Sequence, residues 1–240
     1  MPSDRDIDAP VSLMGLWPDS DDEEGTATQE FSQEYSEQTI TVCGLPLLVR
    51  QFTFHSQNAN RVWPGTFNLA EHYLSPPSSL SLLQNKTILE LGSATGLLSL
   101  RLLLSGVKNI TTSDVVDSGE VESNISYNFR KNGVEPVRHV PHTWGSGWCG
   151  GEFEVVIASD ILLYCGVYVE LVKTIKELVK TEEGMFVMSW NRRMEESKVF
   201  FRMMEEEGYT CEHLGKCVYK FQLKKLEKVV EGEHVSELKS

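Results

Sequence analysis

Residues 87–96 read Thr-Ile-Leu-Glu-Leu-Gly-Ser-Ala-Thr-Gly, an apolar strand that runs straight into a turn of small residues. Ile88, Leu89 and Leu91 have the pattern of a parallel strand covered on both faces. Only small residues follow from Gly92 to Gly96, after which Leu97, Leu98, Leu100, Leu102 and Leu103 open an apolar helix. Strand, tight turn and helix start together make the corner of a doubly wound α/β sheet at which a phosphate or nucleoside binds.

The glycine spacing narrows the ligand. The third glycine of G-x-G-x-x-G falls on Leu97, which makes a poor cradle for a pyrophosphate. Glu90, two residues before Gly92, suits a nucleoside that carries no phosphate, because a carboxylate there can organise the turn and favour a cation. Adenosine bearing a sulfonium, S-adenosylmethionine, is such a ligand. Glu90, Gly92 and Gly96 set out the E-x-G-x-x-x-G arrangement of Rossmann-like methyltransferases.

From Thr87 onward strand and helix patterns alternate. Strands are expected at 87–91, 110–114, 137–140, 154–159 and 184–190, and helices near 96–106, 119–132, 166–180 and 194–207. Lys131-Asn-Gly133 and Glu207-Gly208 are helix-stop signals. Tyr209–His213 and Lys216–Leu223, joined by Leu214-Gly215, stand too close for a helical crossover and so must be antiparallel. The predicted fold is α/β: a Rossmann-like seven-strand class I methyltransferase sheet with a terminal antiparallel β-hairpin. Ahead of it, Gln38–Val42 and Leu47–Phe52 form a leading hairpin turned by Cys43-Gly-Leu-Pro46. Phe67–Leu74 reads as a short helix stopped by Ser75-Pro-Pro77. The domain is thus set at 38–223, with its hairpin at 38–54 and a charged tail at 224–240.

The formal net charge of −13 is concentrated in one place. Residues 1–37 hold eleven acids and one base, a balance of −10, leaving −3 for the rest. This stretch has little to bury and reads as an acidic, disordered tail, either solubilising or offered to a basic partner. Five cysteines without a C-x-x-C argue against a disulfide framework or zinc ribbon. Cys211 and Cys217 read as two buried thiols, and His139, His142 and Cys149 match no metal-site spacing, so no metal is expected. No run of eighteen apolar residues and no leader pattern is present, so neither membrane nor secretion is expected. The absence of a basic stripe with interleaved aromatics speaks against nucleic acid.

Three side chains would face a ligand from the strand ends. Asp114 closes the second strand, 24 residues after Glu90, where a carboxylate can accept two ribose hydroxyls. Its alternative role is to cap the next helix, a task for which Asp117 is the better placed. Trp144 follows the third strand and either stacks on adenine or fills the core, with Trp148 close by. Asp160 ends the fourth strand, where it either holds an incoming amine or caps a helix. Ser189-Trp-Asn-Arg-Arg193 leaves the fifth strand on the same rim, to contact substrate or to cap a helix through Asn191.

These pieces resemble the seven-strand protein-lysine methyltransferases of the methyltransferase-like protein 21 group over residues 38–223. The matching segments are Val62-Trp-Pro-Gly-Thr-Phe-Asn-Leu-Ala70, Glu90-Leu-Gly-Ser-Ala-Thr-Gly96, Asp114, Thr143-Trp-Gly145 and Ala158-Ser-Asp160. The resemblance implies a cofactor site of Trp63, Gly92, Ser93, Ala94, Asp114, Trp144 and Ser159 for S-adenosylmethionine. It also implies a catalytic pair, Asp160 and a tyrosine, and a protein substrate modified at lysine. One departure stands out: the family carries D-x-x-Y, whereas here Asp160 is followed by Leu163 at that position and Tyr164 one residue late. Another protein residue, a small molecule, or a binding module that keeps the fold are the alternatives. A monomer in the cytoplasm, with the nucleus also open to it, is expected.

Overall fold

The computed structural model describes residues 34–190 and 195–225. Residues 1–33, the stretch 191–194 and the end from 226 lie outside these, and with them most of the acidic tail and the Asn191–Arg193 candidates.

Nine strands and five helices are described. β3 (Thr87–Leu91), β4 (Asn109–Asp114), β5 (His139–Pro141), β6 (Val155–Ser159), β7 (Met185–Ser189), β8 (Tyr209–Gly215) and β9 (Val218–Leu223) build one sheet ordered β5-β4-β3-β6-β7-β9-β8. All neighbours pair in parallel except β9, which is antiparallel to both β7 and β8. The predicted seven-strand sheet with one reversed strand is therefore the observed one. Alternation along the strands divides the core. Ile88, Val155, Ile157 and Val187 face α1 (Pro64–Leu74), α2 (Leu97–Leu103) and α3 (Glu120–Lys131). Leu89, Leu91, Val156, Ala158, Phe186 and Met188 face α4 (Tyr168–Leu178) and α5 (Ser197–Glu206). The chain winds one way from β3 through β5, then returns to start β6 on β3's other side. That reversal opens a crevice at the carboxyl ends of β3 and β6.

The remaining pair, β1 (Tyr35–Val42) and β2 (Leu45–Phe52), forms a separate two-stranded hairpin. β1 starts three residues earlier than predicted, and the turn is Cys43-Gly44, both with positive φ. Asn124, Asn128 and Asn132, every fourth residue of α3 and its cap, pair with the outer edge of β2. Asn132 accepts the Leu48 N–H at 3.0 Å and donates to the Leu48 carbonyl at 2.8 Å. Asn128 does the same for Arg50, at 2.7 and 3.1 Å, and also donates to the Thr95 carbonyl at 3.0 Å. Asn124 accepts from Arg50 Nε at 2.8 Å and donates to the Arg50 carbonyl at 3.2 Å. Four helical residues advance about 6 Å and two strand residues about 6.7 Å, so the repeats match. Side-chain amides thus stand in for a third strand, and Pro46, with no N–H to offer, sits on the same outward edge.

Three local expectations are corrected. α1 begins at Pro64 rather than Phe67, with proline at the first helical position. The terminal hairpin turns at Lys216-Cys217, both with positive φ, while Gly215 sits beside a register shift in β8. Cys211 is exposed and Cys217 half-buried, so neither is the buried thiol expected; all five cysteines are free. No helix of the described residues is long and apolar enough to cross a membrane.

Candidate active site

A cleft of about 310 Å³ opens at the switch point between β3 and β6, within the range of small-molecule sites. Gly92 and Ala94 from the turn after β3, Asp114 and Val115 from β4, and Ser159 and Asp160 from β6 form its floor. Thr143 and Trp144 after β5, Leu163 and Tyr164 after β6, and Asn58 and Trp63 ahead of α1 line the rest of it.

Asp114 is turned toward the cleft by its own neighbours. Its Oδ2 accepts the Ala94 N–H at 2.7 Å and its Oδ1 the Val115 N–H at 2.8 Å. Burial pushes its carboxyl above the ordinary value, and those two N–H groups pull it back down. Asp117 takes the other task, accepting the Gly119 and Val121 N–H groups at 2.8 and 2.9 Å to cap α3. Trp144 lines the cleft, whereas Trp148 packs edge-on against His142 and Phe153 and donates to the Gly151 carbonyl. The two tryptophans that sequence could not separate are separated by position. Ser159, in the cleft floor, has its Oγ buried without a hydrogen-bond partner among the described residues.

Glu90, Ser93 and Gly96, expected at the cofactor, are not among the residues that line the cleft; they shape the turn, as the Glu90 carboxylate was also expected to do. The Glu90 carboxylate accepts the Ser99 N–H at 3.2 Å and its hydroxyl, so it holds the first turn of α2. Burial raises its pKa to about 7, against the two hydrogen bonds from Ser99 that lower it. The Ser93 hydroxyl lies between the carbonyls of Glu90 and Ser113 and accepts the Ser113 N–H at 2.9 Å, stapling the turn to β4. At Gly96, φ +71, a Cβ would sit 2.8 Å from Ile125 Cγ2 and 3.0 Å from Phe129, so the missing side chain lets α2 approach α3.

Asp160 has φ +51, which swings its carboxylate back across the cleft. Its Oδ2 accepts the Gly65 N–H at 2.6 Å, in the first turn of α1, 95 residues away in sequence. A Cβ on Gly65 would stand 3.0 Å from both Asp160 Cγ and Oδ2, so this approach needs glycine. The carboxylate therefore caps a helix as well as facing the cleft, but the helix is α1 rather than the one that follows it. Tyr164 is 60% exposed on the rim, and its hydroxyl accepts from Asn58 Nδ2 at 2.9 Å. Leu163 and Tyr164 both line the cleft, so the one-residue displacement leaves the tyrosine on the site.

Sequence reasoning missed Asn58, Ala59, His142, Val167 and Glu170, all of which line the cleft. None carries a local signal, since each comes from a loop or from an element reached only through the fold. His142 is buried and held by Thr174 Oγ1 at 3.3 Å, with burial lowering its pKa. A second cavity adjoins the first and shares Gln57 and Val115 with it. There His55, Asp117 and Glu120 bring one potential ligand atom each within 4.8 Å of the others. Both Asp117 oxygens already serve the N-terminus of α3, whose dipole opposes a cation.

A profile of the lysine methyltransferase family matches residues 45–207. Mouse protein-lysine methyltransferase METTL21E is 24% identical over 155 residues, covering 60% of this chain and 61% of its own length. The Candida glabrata protein N-terminal and lysine N-methyltransferase EFM7 is 29% identical over 170 residues, covering 64% of each chain. This chain therefore spans somewhat under two thirds of those two relatives. Mouse EEF1A lysine methyltransferase 3 is 24% identical over 187 residues, covering 76% of this chain and 78% of its own. Among solved structures, the T. thermophilus 16S rRNA methyltransferase RsmC, in complex with AdoMet and guanosine, aligns with a TM-score of 0.58 at 14% identity. That alignment covers 80% of this chain and 51% of RsmC and speaks to the fold alone.

Proposed function

This chain belongs to the lysine methyltransferase family, and on that premise we propose that it transfers a methyl group from S-adenosylmethionine to a lysine Nε of a protein. The observation that carries the reading is that Asp114, which ends β4, and Asp160, which follows β6, line one cleft together with the glycine turn and Trp144. The relatives named for lysine methylation support the acceptor.

The residues fit the cofactor. Asp114 keeps lone pairs beyond those used by Ala94 and Val115, which suits ribose hydroxyls. Gly92, at φ +72, leaves the turn flush with the cleft, where a Cβ would come within 3.0 Å of Ile161 Cγ2. Trp144 and Val115 offer flat apolar surface for a base, and Trp63 covers the opening. Bound there, S-adenosylmethionine supplies an electrophilic methyl on a sulfonium.

This chain's part is to hold an uncharged amine in line. A lysine starts near pKa 10.4, and walls of Trp63, Trp144, Leu163 and Val167 disfavour its charged form by desolvation. A bare carboxylate would work against that by favouring the ammonium. Asp160 shares its charge with the N-terminus of α1 through Gly65, so it can accept a hydrogen bond from the amine with less pull on the proton. The proton leaves to water at the open rim before the new N–C bond forms. Five free cysteines, four of them exposed, support a reducing compartment, and we place the protein in the cytosol, with the nucleus also accessible.

The test is transfer of labelled methyl into a cell extract by wild type and by Asp160→Asn, which keeps an acceptor oxygen for Gly65 where Asp160→Ala does not. A labelled band that yields methyl-lysine on hydrolysis and disappears in the variant, with S-adenosylhomocysteine binding intact, is expected. Labelling of a different residue type, or undiminished labelling by the variant, would sink the assignment.

A further inference from the structure

Residues 57–65 cross the mouth of the cleft and are tied to the 160–164 loop at two points. The inner tie is Gly65 N–H to Asp160; the outer is Asn58 Nδ2 to Tyr164 Oη at 2.9 Å, across 106 residues of sequence. Asn58 also accepts the Trp63 indole N–H on its backbone carbonyl at 3.0 Å. Its φ of +62 lies in the left-handed region, which asparagine tolerates better than most residues and which aims its backbone and side chain at different partners. Tyr164 is 60% exposed, so packing alone does little to fix its ring, and an exposed side chain otherwise changes rotamer within nanoseconds. Tyr164 is also the residue that arrives one position late, behind Leu163.

We propose that Asn58 is a positioning residue that holds the displaced Tyr164 hydroxyl at the acceptor end of the cleft and, through Trp63, latches segment 57–65 over the bound cofactor. This rests on the methyltransferase reading of the same cleft. Asn58 replaces by a long-range bond the placement that the D-x-x-Y spacing would give locally. One neutral hydrogen bond is worth a factor of about two to ten in an equilibrium. Breaking the latch should speed cofactor release by a similar factor.

The experiment follows dissociation of S-adenosylhomocysteine from the full chain by stopped-flow tryptophan fluorescence. Asn58→Ala and Tyr164→Phe are each expected to speed release about three- to tenfold, and the double variant no more than the faster single one. Asn58→Asp is expected to return to within about twofold of wild type, because the tyrosine hydroxyl can donate to a carboxylate as well as accept from an amide. A merely structural role for Asn58 would give neither the non-additivity nor the rescue. Asn58→Gly, which accepts the left-handed backbone, replaces the alanine variant if that one melts early. Release rates unchanged by the single variants, or changes that add in the double variant, overturn the latch while leaving the cofactor site standing. Failure of wild type to bind S-adenosylhomocysteine overturns the reading of the cleft, and the latch with it.

Discussion

Replacing Asn128 by alanine removes the middle rung of the ladder that fastens the leading hairpin to α3. Asn128 is 1% exposed and makes three bonds: from the Arg50 N–H, to the Arg50 carbonyl and to the Thr95 carbonyl. After truncation the Arg50 carbonyl still receives Asn124 Nδ2, so two backbone groups are left unpaired, the Arg50 N–H and the Thr95 carbonyl. Each unpaired group costs roughly 1–3 kcal/mol, and alanine's better helix propensity returns about half a kcal/mol. The net loss is about 1.5–5.5 kcal/mol, equivalent to a fall in Tm of roughly 3–20 °C for a chain of this size. Urea denaturation read by tryptophan fluorescence measures it. Asn132→Ala removes both Leu48 bonds from a half-buried site where water can replace them, so it should cost less, about 1–2 kcal/mol. A loss below about 0.5 kcal/mol for Asn128→Ala would refute the claim that these amides act as a strand. So would a larger loss for Asn132→Ala than for Asn128→Ala.

Other outcomes follow from the site. Because the folded Glu90 carboxyl titrates at about 7, above its ordinary 4.5, its protonated form is favoured in the fold. Its contribution is full below pH 4.5 and lost as pH rises to about 7, a loss on the order of 3 kcal/mol. Melting curves from pH 4 to 8 should therefore fall for wild type and be flatter for Glu90→Gln; parallel curves would contradict this. Gly65→Ala pushes a methyl to 3.0 Å from the Asp160 carboxylate and should cost about 1–2 kcal/mol of stability and most of the methyl transfer. Calorimetry should find S-adenosylhomocysteine affinity largely retained in that variant. Asp117→Ala should cost about 1 kcal/mol as a lost cap and leave S-adenosylhomocysteine affinity unchanged, whereas Asp114→Asn should weaken binding at least tenfold. The reverse ranking of affinities would exchange the two roles.

What was legible in the sequence was whatever neighbours in sequence enforce. The buried strands from β3 to β7 and the glycine turn follow from local apolar runs and small residues, and their limits fell within two residues of expectation. Asp114 and Asp160 could be placed on the cleft because strand ends at a switch point open into it whatever the sequence between. Glu90 and Ser93 sit in the same motif, but the pattern does not say which side of a turn a side chain takes. The start of α1 was missed although Pro64 marks it locally as a first helical position, whereas the carboxylate that accepts its Gly65 N–H, Asp160, lies 95 residues on and leaves no mark near Trp63. Asn58 was missed for the same reason. The asparagines of α3 read as ordinary polar helix positions until β2 is laid against them.

The two ties across the cleft have a consequence for the order in which this protein can become itself. Segment 57–65 leaves the ribosome before any strand of the sheet it closes on, and its partners Asp160 and Tyr164 follow 95 to 106 residues later. At 5–20 residues per second, that is a wait of roughly 5–20 s. During it, Trp63 and the buried face of α1 (Leu69, Ala70 and Tyr73) have α2 but not yet β6, β7 or β9, the strands that α1 packs on. The nascent chain carries part of that apolar surface uncovered until those strands are made. The cleft therefore closes only after β6 is made, and it is closed by its own earliest-made part.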